Sequence, residues 1–100
     1  MEVVKRGFEI MPYIKKTERK KFDSSIHIIV NELTNYDKTL PSVGELNYIV
    51  SSIIWGLYKK NPSYTLGNNL IGALECIKQE FYRRQLAEYE DKKINENGDI

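Results

Sequence analysis

SVGELNYIVSSIIWGLYKKNPS, residues 42–63, is the stretch that decides the fold. Ser42 and Glu45 stand three apart, the spacing of a capping box, in which each residue satisfies a free backbone N–H at a helix start. Leu46, Ile49, Val50, Ile53, Ile54 and Leu57 follow at intervals of three and four, the period of one helical face. Asn61-Pro62-Ser63 then closes the segment, because proline removes a backbone donor and bars the helical region to its neighbour. The pattern predicts a helix over 43–60.

The same reading extends in both directions. Upstream, Phe22, Ile26, Ile29, Val30, Leu33 and Tyr36 predict a helix over about 17–36, with Thr17 as its N-cap. Met11-Pro12-Tyr13-Ile14 is an extended lead-in, and Asn35 to Pro41 is a break. Downstream, Leu70, Leu74, Ile77 and Phe81 predict inward positions of a third helix over about 66–90, with Glu80–Arg84 and Glu88–Lys92 as supporting i,i+4 pairs. Nothing alternates with a period of two. The expected fold class is all-α, a small three-helix bundle-like domain spanning 11–93, with 94–100 as a polar tail that frays unless held.

Composition agrees. The chain has 100 residues, 41% of them hydrophobic and 29% charged, as a single globular domain should. A domain of this size buries only about 60% of the surface its unfolded chain exposes, so its stability alone is marginal. The formal net charge of +1 gives no general case for nucleic acid. One cysteine, Cys76, allows no intrachain disulfide and fits a reducing cytoplasm. No apolar run reaches membrane-spanning length, and no signal peptide is readable; the expected location is cytoplasmic.

Residues 1–10, MEVVKRGFEI, precede a second methionine. They are read as an upstream start-site extension, since Lys5-Arg6-Gly7 back-translates to a purine-rich ribosome-binding sequence a short step before Met11. An arm built on Val3, Val4, Phe8 and Ile10 is the alternative. N-terminal sequencing of the native protein decides between them.

Two of the helices carry more apolar surface than a three-helix core requires. Tyr48, Ser52 and Trp55 align away from the core stripe of the second helix. Ile71, Tyr82, Leu86 and Tyr89 widen the apolar surface of the third, beside the small residues Gly72, Ala73 and Cys76. This surplus is either bundle core with aromatics over its ends or a homo-oligomeric interface, the reading preferred here because large apolar faces rarely stay open to water.

Catalytic equipment is sparse. His27 is the only histidine and reads as a partly exposed helical residue; Cys76 reads as a packed thiol. Zinc would need more Cys and His than exist, and no phosphate-binding loop, dinucleotide fingerprint or nucleophile elbow is present. Glu88-Tyr89-Glu90-Asp91 supplies one ExxD without a matching ExxE, while Glu45 has a capping role and Glu75 is expected to pair with Lys78. No enzyme, no metal and no cofactor are expected.

Two binding features remain. Lys15, Lys16, Arg19 and Lys20, with Lys21, crowd a helix N-terminus, where the dipole disfavours cations. They are a solvated run or an anion patch. Tyr82, Arg83 and Arg84 combine a stacking face with planar phosphate-gripping forks, equipment for a nucleotide-like ligand and equally for a protein interface. Tyr48 and Trp55 join them as candidate ligand-binding residues.

MPYIKK at 11–16, Gly44-Glu45-Leu46-Asn47-Tyr48, Ile71-Gly72-Ala73-Leu74-Glu75-Cys76, Phe81-Tyr82-Arg83-Arg84, Tyr89-Glu90-Asp91 and Glu96-Asn97-Gly98-Asp99 occur in an order that resembles a family of small phage and prophage proteins carrying a domain of unknown function. The resemblance covers residues 11–100, and members typically begin at the MPYI block. It implies a bacterial host cytoplasm and transfers no catalytic residue. By analogy of class, the expected function is that of a non-catalytic accessory protein of counter-defence, binding an anionic, nucleotide-like signal in an oligomer. The alternatives are a protein–protein inhibitor of a host factor or, less favoured, a small nucleic-acid-binding protein. No membrane partner is expected.

Overall fold

The computed structural model describes residues 13–34 and 42–100. The readings for 1–10, for Met11-Pro12, for Tyr36 and for the break at 35–41 lie outside the described residues. Of the described residues 88% are helical, in three helical rods without a strand, so the domain is all-α.

Helix α1 spans Lys16–Thr34. Thr17, expected as its N-cap, lies inside the first turn instead: the Lys15 carbonyl accepts the Glu18 N–H at 2.9 Å and starts the helix two residues early. Helix α2 spans Val43–Lys60, as predicted. Ser42 Oγ accepts the Glu45 N–H at 3.4 Å, one half of the expected capping box. At the other end the Asn61 N–H reaches the Tyr58 carbonyl.

The turn that follows is only Asn61-Pro62-Ser63. Ser63 Oγ accepts the Leu66 N–H at 3.0 Å, capping helix α3, Tyr64–Phe81, which begins two residues before the predicted start. Phe81 leads without a break into a π turn, Tyr82–Leu86, in which the Ala87 N–H bonds to the Tyr82 carbonyl. Helix α4, Ala87–Asn97, completes the rod. At 1.5 Å per residue the stretch from Tyr64 to Asn97 is about 51 Å long, and the longest dimension of the molecule is 51 Å. The helix therefore runs into the stretch read as a tail. It stops where Gly98 adopts φ +88° and donates its N–H to the Ile94 carbonyl, a glycine-dependent C-terminal cap.

Helices α2 and α3 form a hairpin. Gly67 sits against Tyr58, so close that a Cβ there would come within 3.6 Å of Tyr58 Cε1. Ile49, Val50 and Ile54 of α2 and Leu66, Leu70 and Leu74 of α3 are half-buried, with Ile29 and Leu33 of α1. No described residue is fully buried. Other members of the expected inward stripes stay open: Phe22, Ile26, Ile53 and Leu57 are about half exposed, and Ile77 and Phe81 are each 62% exposed. The radius of gyration is 17.4 Å, against about 13 Å for a compact domain of 100 residues. Each helix has its apolar face, but the described residues do not close over those faces.

Candidate functional site

The third rod decides what the chain displays. In an unbroken α-helix, residues eight apart differ by about 80° around the axis. The π turn inserts one extra residue into the spiral and removes that offset. Tyr82 and Glu90 therefore share a face, and the Tyr82 hydroxyl donates a hydrogen bond to the Glu90 carboxylate. That bond, with Asp91 nearby, raises the pKa of Tyr82 above the ordinary phenol value.

One turn earlier, an open groove of about 690 Å³ is lined by Tyr13, Cys76, Lys78, Glu80, Tyr82 and Arg83, among others. One guanidinium nitrogen of Arg83 donates to both oxygens of Glu80, at 2.7 and 2.8 Å. The expected partner of Glu80 was Arg84, four residues on; the pair observed is three residues apart. Arg83, then the hydrogen bond from Tyr13, hold the Glu80 carboxyl below its ordinary value. The same carboxylate raises Tyr13, chiefly by accepting its hydroxyl, and raises Arg83 further. Lys78 pairs with Glu75 at 3.0 Å, as the sequence suggested, and Gln79 donates to Glu75 at 2.9 Å. Gln79 and then Lys78 lower the Glu75 pKa.

The groove is thus charge-balanced, each cation carrying its own carboxylate. These groups are solvent-exposed, so the pairs contribute little to stability; they set where the side chains point. Arg84 has no ion pair among the described residues, but its charge acts on Glu80 and Tyr13. Cys76, read from sequence as a packed thiol, is exposed and free in this groove, because none of the described residues covers this side of α3.

Of the five candidate ligand-binding residues, the structure brings Tyr82 and Arg83 to one groove. Trp55 lines a separate apolar groove of about 350 Å³ between α2 and α3, with Ile54, Tyr58, Leu70, Ile71 and Leu74. Tyr48 is 73% exposed on α2 and lines neither. Tyr13, Lys78, Gln79 and Glu80 are site residues that sequence reasoning missed. The 75–79–82–83 spacing marks one face of a helix and could have shown Gln79; Tyr13 reaches that face from the other end of the chain.

The basic cluster is partly engaged. Arg19 Nε donates to the Ile14 carbonyl at 3.2 Å, and Lys21 pairs with Glu18 at 3.2 Å, leaving Lys15, Lys16 and Lys20 without an ion pair among the described residues. His27 is exposed. Among the described residues no group of three or more Cys, His, Asp and Glu is placed to hold a metal ion, and no helix is long and apolar enough to cross a membrane.

The family model described as Domain of unknown function (DUF6899) matches residues 11–100. Searches among curated proteins and among solved structures give no match. With a match running from Met11 to the last residue, the chain belongs to the DUF6899 family.

Proposed function

We propose that the protein acts by binding, without catalysis, as the subunit of a homo-oligomer. The observation that carries this reading is the amount of surface a single chain leaves open. The chain exposes 9601 Å², whereas a compact monomer of its mass exposes about 5,900 Å². The uncovered area includes Ile77, Phe81, Trp55 and Tyr89, each more than half exposed. A soluble monomer rarely carries so much open apolar surface; a subunit does. Light scattering at micromolar concentration tests this directly: a multiple of the chain mass is expected, and a stable monomer refutes it.

The resemblance to small phage and prophage proteins supports a bacterial host cytoplasm as the setting, and analogy of class with other phage accessory proteins supports counter-defence as the task. Within that setting the groove at Tyr13, Lys78, Tyr82 and Arg83 is where an anionic, nucleotide-like signal would be held. Two tyrosine rings and two cations converge there, with Arg84 beside them. Because Glu75 and Glu80 already neutralise Lys78 and Arg83, an incoming phosphate has to displace these carboxylates or take Arg84 first. Calorimetry against cyclic nucleotides and ADP-ribose derivatives tests the ligand; absence of heat with all of them removes it.

A second reading, a protein that blocks a host factor, is favoured by Tyr48 and Trp55, which stand 73% and 61% exposed on α2 and apart from the groove. Affinity capture from bacterial lysate, repeated with Tyr48→Ala and Trp55→Ala, separates it from the first: loss of a captured protein only in these variants supports it.

A further inference from the structure

The apolar seam of the third rod does not end where helix α2 ends. Along α3 it runs through Leu66, Leu70, Leu74, Ile77 and Phe81, in steps of three and four. The next apolar positions, Leu86 and Tyr89, come after a step of five. In an unbroken α-helix Leu86 would lie about 140° and Tyr89 about 80° around the axis from Phe81. The π turn at Tyr82–Leu86 absorbs the extra residue, so Leu86 and Tyr89 stay in register with Phe81.

Helix α2 covers only the first part of this seam: Leu66, Leu70 and Leu74 are half-buried, while Ile77, Phe81, Leu86 and Tyr89 are exposed at 62%, 62%, 42% and 56%. Among the described residues only α2 covers the seam, and a straight apolar seam that continues past that cover suits another helix.

The charges flanking the seam say which helix. Lys78, Arg83 and Arg84 against Glu80 give the first half a net charge of +2; Glu88, Glu90, Asp91 and Glu96 against Lys92 and Lys93 give the second half −2. Two copies side by side in the same direction would set like on like. Side by side in opposite directions, each basic half meets an acidic half, as a two-fold interface allows.

Resting on the oligomer reading above, we infer that residues 77–97 pair antiparallel with the same residues of a second copy, about an axis near Leu86. That geometry sets Arg84 beside Glu88 of the partner subunit and Glu80 beside Lys92 of the partner subunit. It covers Phe81 and Tyr89 with the partner's seam, and it leaves the Tyr82–Arg83 groove at the edge of the interface.

The test uses three full-length variants and sedimentation velocity. R83E/R84E makes both halves of the seam acidic, and E88K/D91K makes both basic. Each alone is expected to dissociate at least about 100-fold more readily than wild type, because like charges then face each other, and an equimolar mixture of the two is expected to associate. The mixture also guards against misfolding, since a variant that does not fold cannot rescue its counterpart.

The combined R83E/R84E/E88K/D91K chain is expected to self-associate and to exclude wild type; mixing with wild type would overturn the antiparallel arrangement. If wild type is oligomeric and both charge variants are equally so, the seam is not the interface, although the oligomer reading stands. A monomeric wild type overturns both.

Discussion

The two halves of the third rod differ in sequence and in fate: Tyr64–Phe81 is rich in apolar residues, and Tyr82–Asn97 is dominated by charge. From Tyr64 to Phe81 the helix has a serine cap, a hairpin partner and half-buried leucines at 66, 70 and 74. From Tyr82 to Asn97 it has a π turn, a chain of surface polar contacts and, among the described residues, only Ala87 half-buried. The first half is held by tertiary packing. The second is an apolar seam with charges set along it, complete as a helix and incomplete as a folded surface. An isolated helix of its length is marginal in water, and the second copy proposed above would hold it.

The widest separation of the halves should come from truncating seam residues. Phe81→Ser with Tyr89→Ser removes only exposed side chains from the single chain, so the subunit's own stability should change by no more than about 0.5 kcal/mol per site. The oligomer, by contrast, should dissociate by two orders of magnitude or more on the scale of about 1.4 kcal/mol per tenfold. Concentration-dependent thermal melts with light scattering read both quantities. Leu74→Ala should do the reverse in kind, loosening the α2–α3 hairpin in every assembly state. If Phe81 and Leu74 variants behave alike, the distinction between the halves is wrong.

Next in size is the cap. Ser63→Ala should destabilise the first half by about 1 kcal/mol, read as loss of amide-exchange protection in the first turn of α3. Protection in α4, which owes nothing to that cap, should be unchanged.

A glycine test sharpens the comparison from the other side. A Cβ at Gly72 would meet nothing within 4 Å. In a lone chain Gly72→Ala should therefore stabilise the helix by up to about 1 kcal/mol. Destabilisation of the oligomer by this variant would show that a second backbone approaches α3 itself, and not the 77–97 stretch alone.

The smallest effects are electrostatic and oppose each other in pH. Glu80, with a lowered pKa, contributes to order above the usual carboxylate range, and that contribution fades as pH falls through its depressed pKa. Tyr82, with a raised pKa, contributes below the usual phenol value, and that contribution is lost as pH rises through its elevated pKa. Side-chain NMR titration should find Arg83 released from Glu80 on the acid limb and Tyr82 released from Glu90 on the alkaline limb. Glu80→Gln should abolish the first without touching the second.

Much of the fold was legible because helices announce themselves locally. The α2 boundaries followed from Ser42 and from Asn61-Pro62-Ser63, residues that act on backbone within one turn of themselves. The step of five from Phe81 to Leu86 was also in plain view, but spacing alone does not mark a π turn, since the equal step from Tyr89 to Ile94 lies in regular α-helix. Gln79 and Glu80, four and three residues before Arg83, were readable as its neighbours on one helical face. Tyr13 was not, since its meeting with Glu80 joins opposite ends of the chain and no local spacing encodes that. Cys76 was misplaced for a related reason: an apolar neighbourhood in sequence says that a face wants cover, not that the same chain supplies it.

By itself, then, the sequence determined the all-α class, the positions of the helices and the fact that apolar surface outruns what three helices need, because periodicity, capping residues and proline act over three or four residues. Only the tertiary structure decided which stripes meet within one chain, that the seam stays straight past Phe81, and that Arg83 and Tyr82 are held by Glu80 and Glu90. The meeting of stripes depends on helix direction and register over tens of ångströms, which no local interaction along the chain spans, whereas the seam's line and the Glu80 and Glu90 contacts depend on the π turn and on rotamers that periodicity alone does not fix.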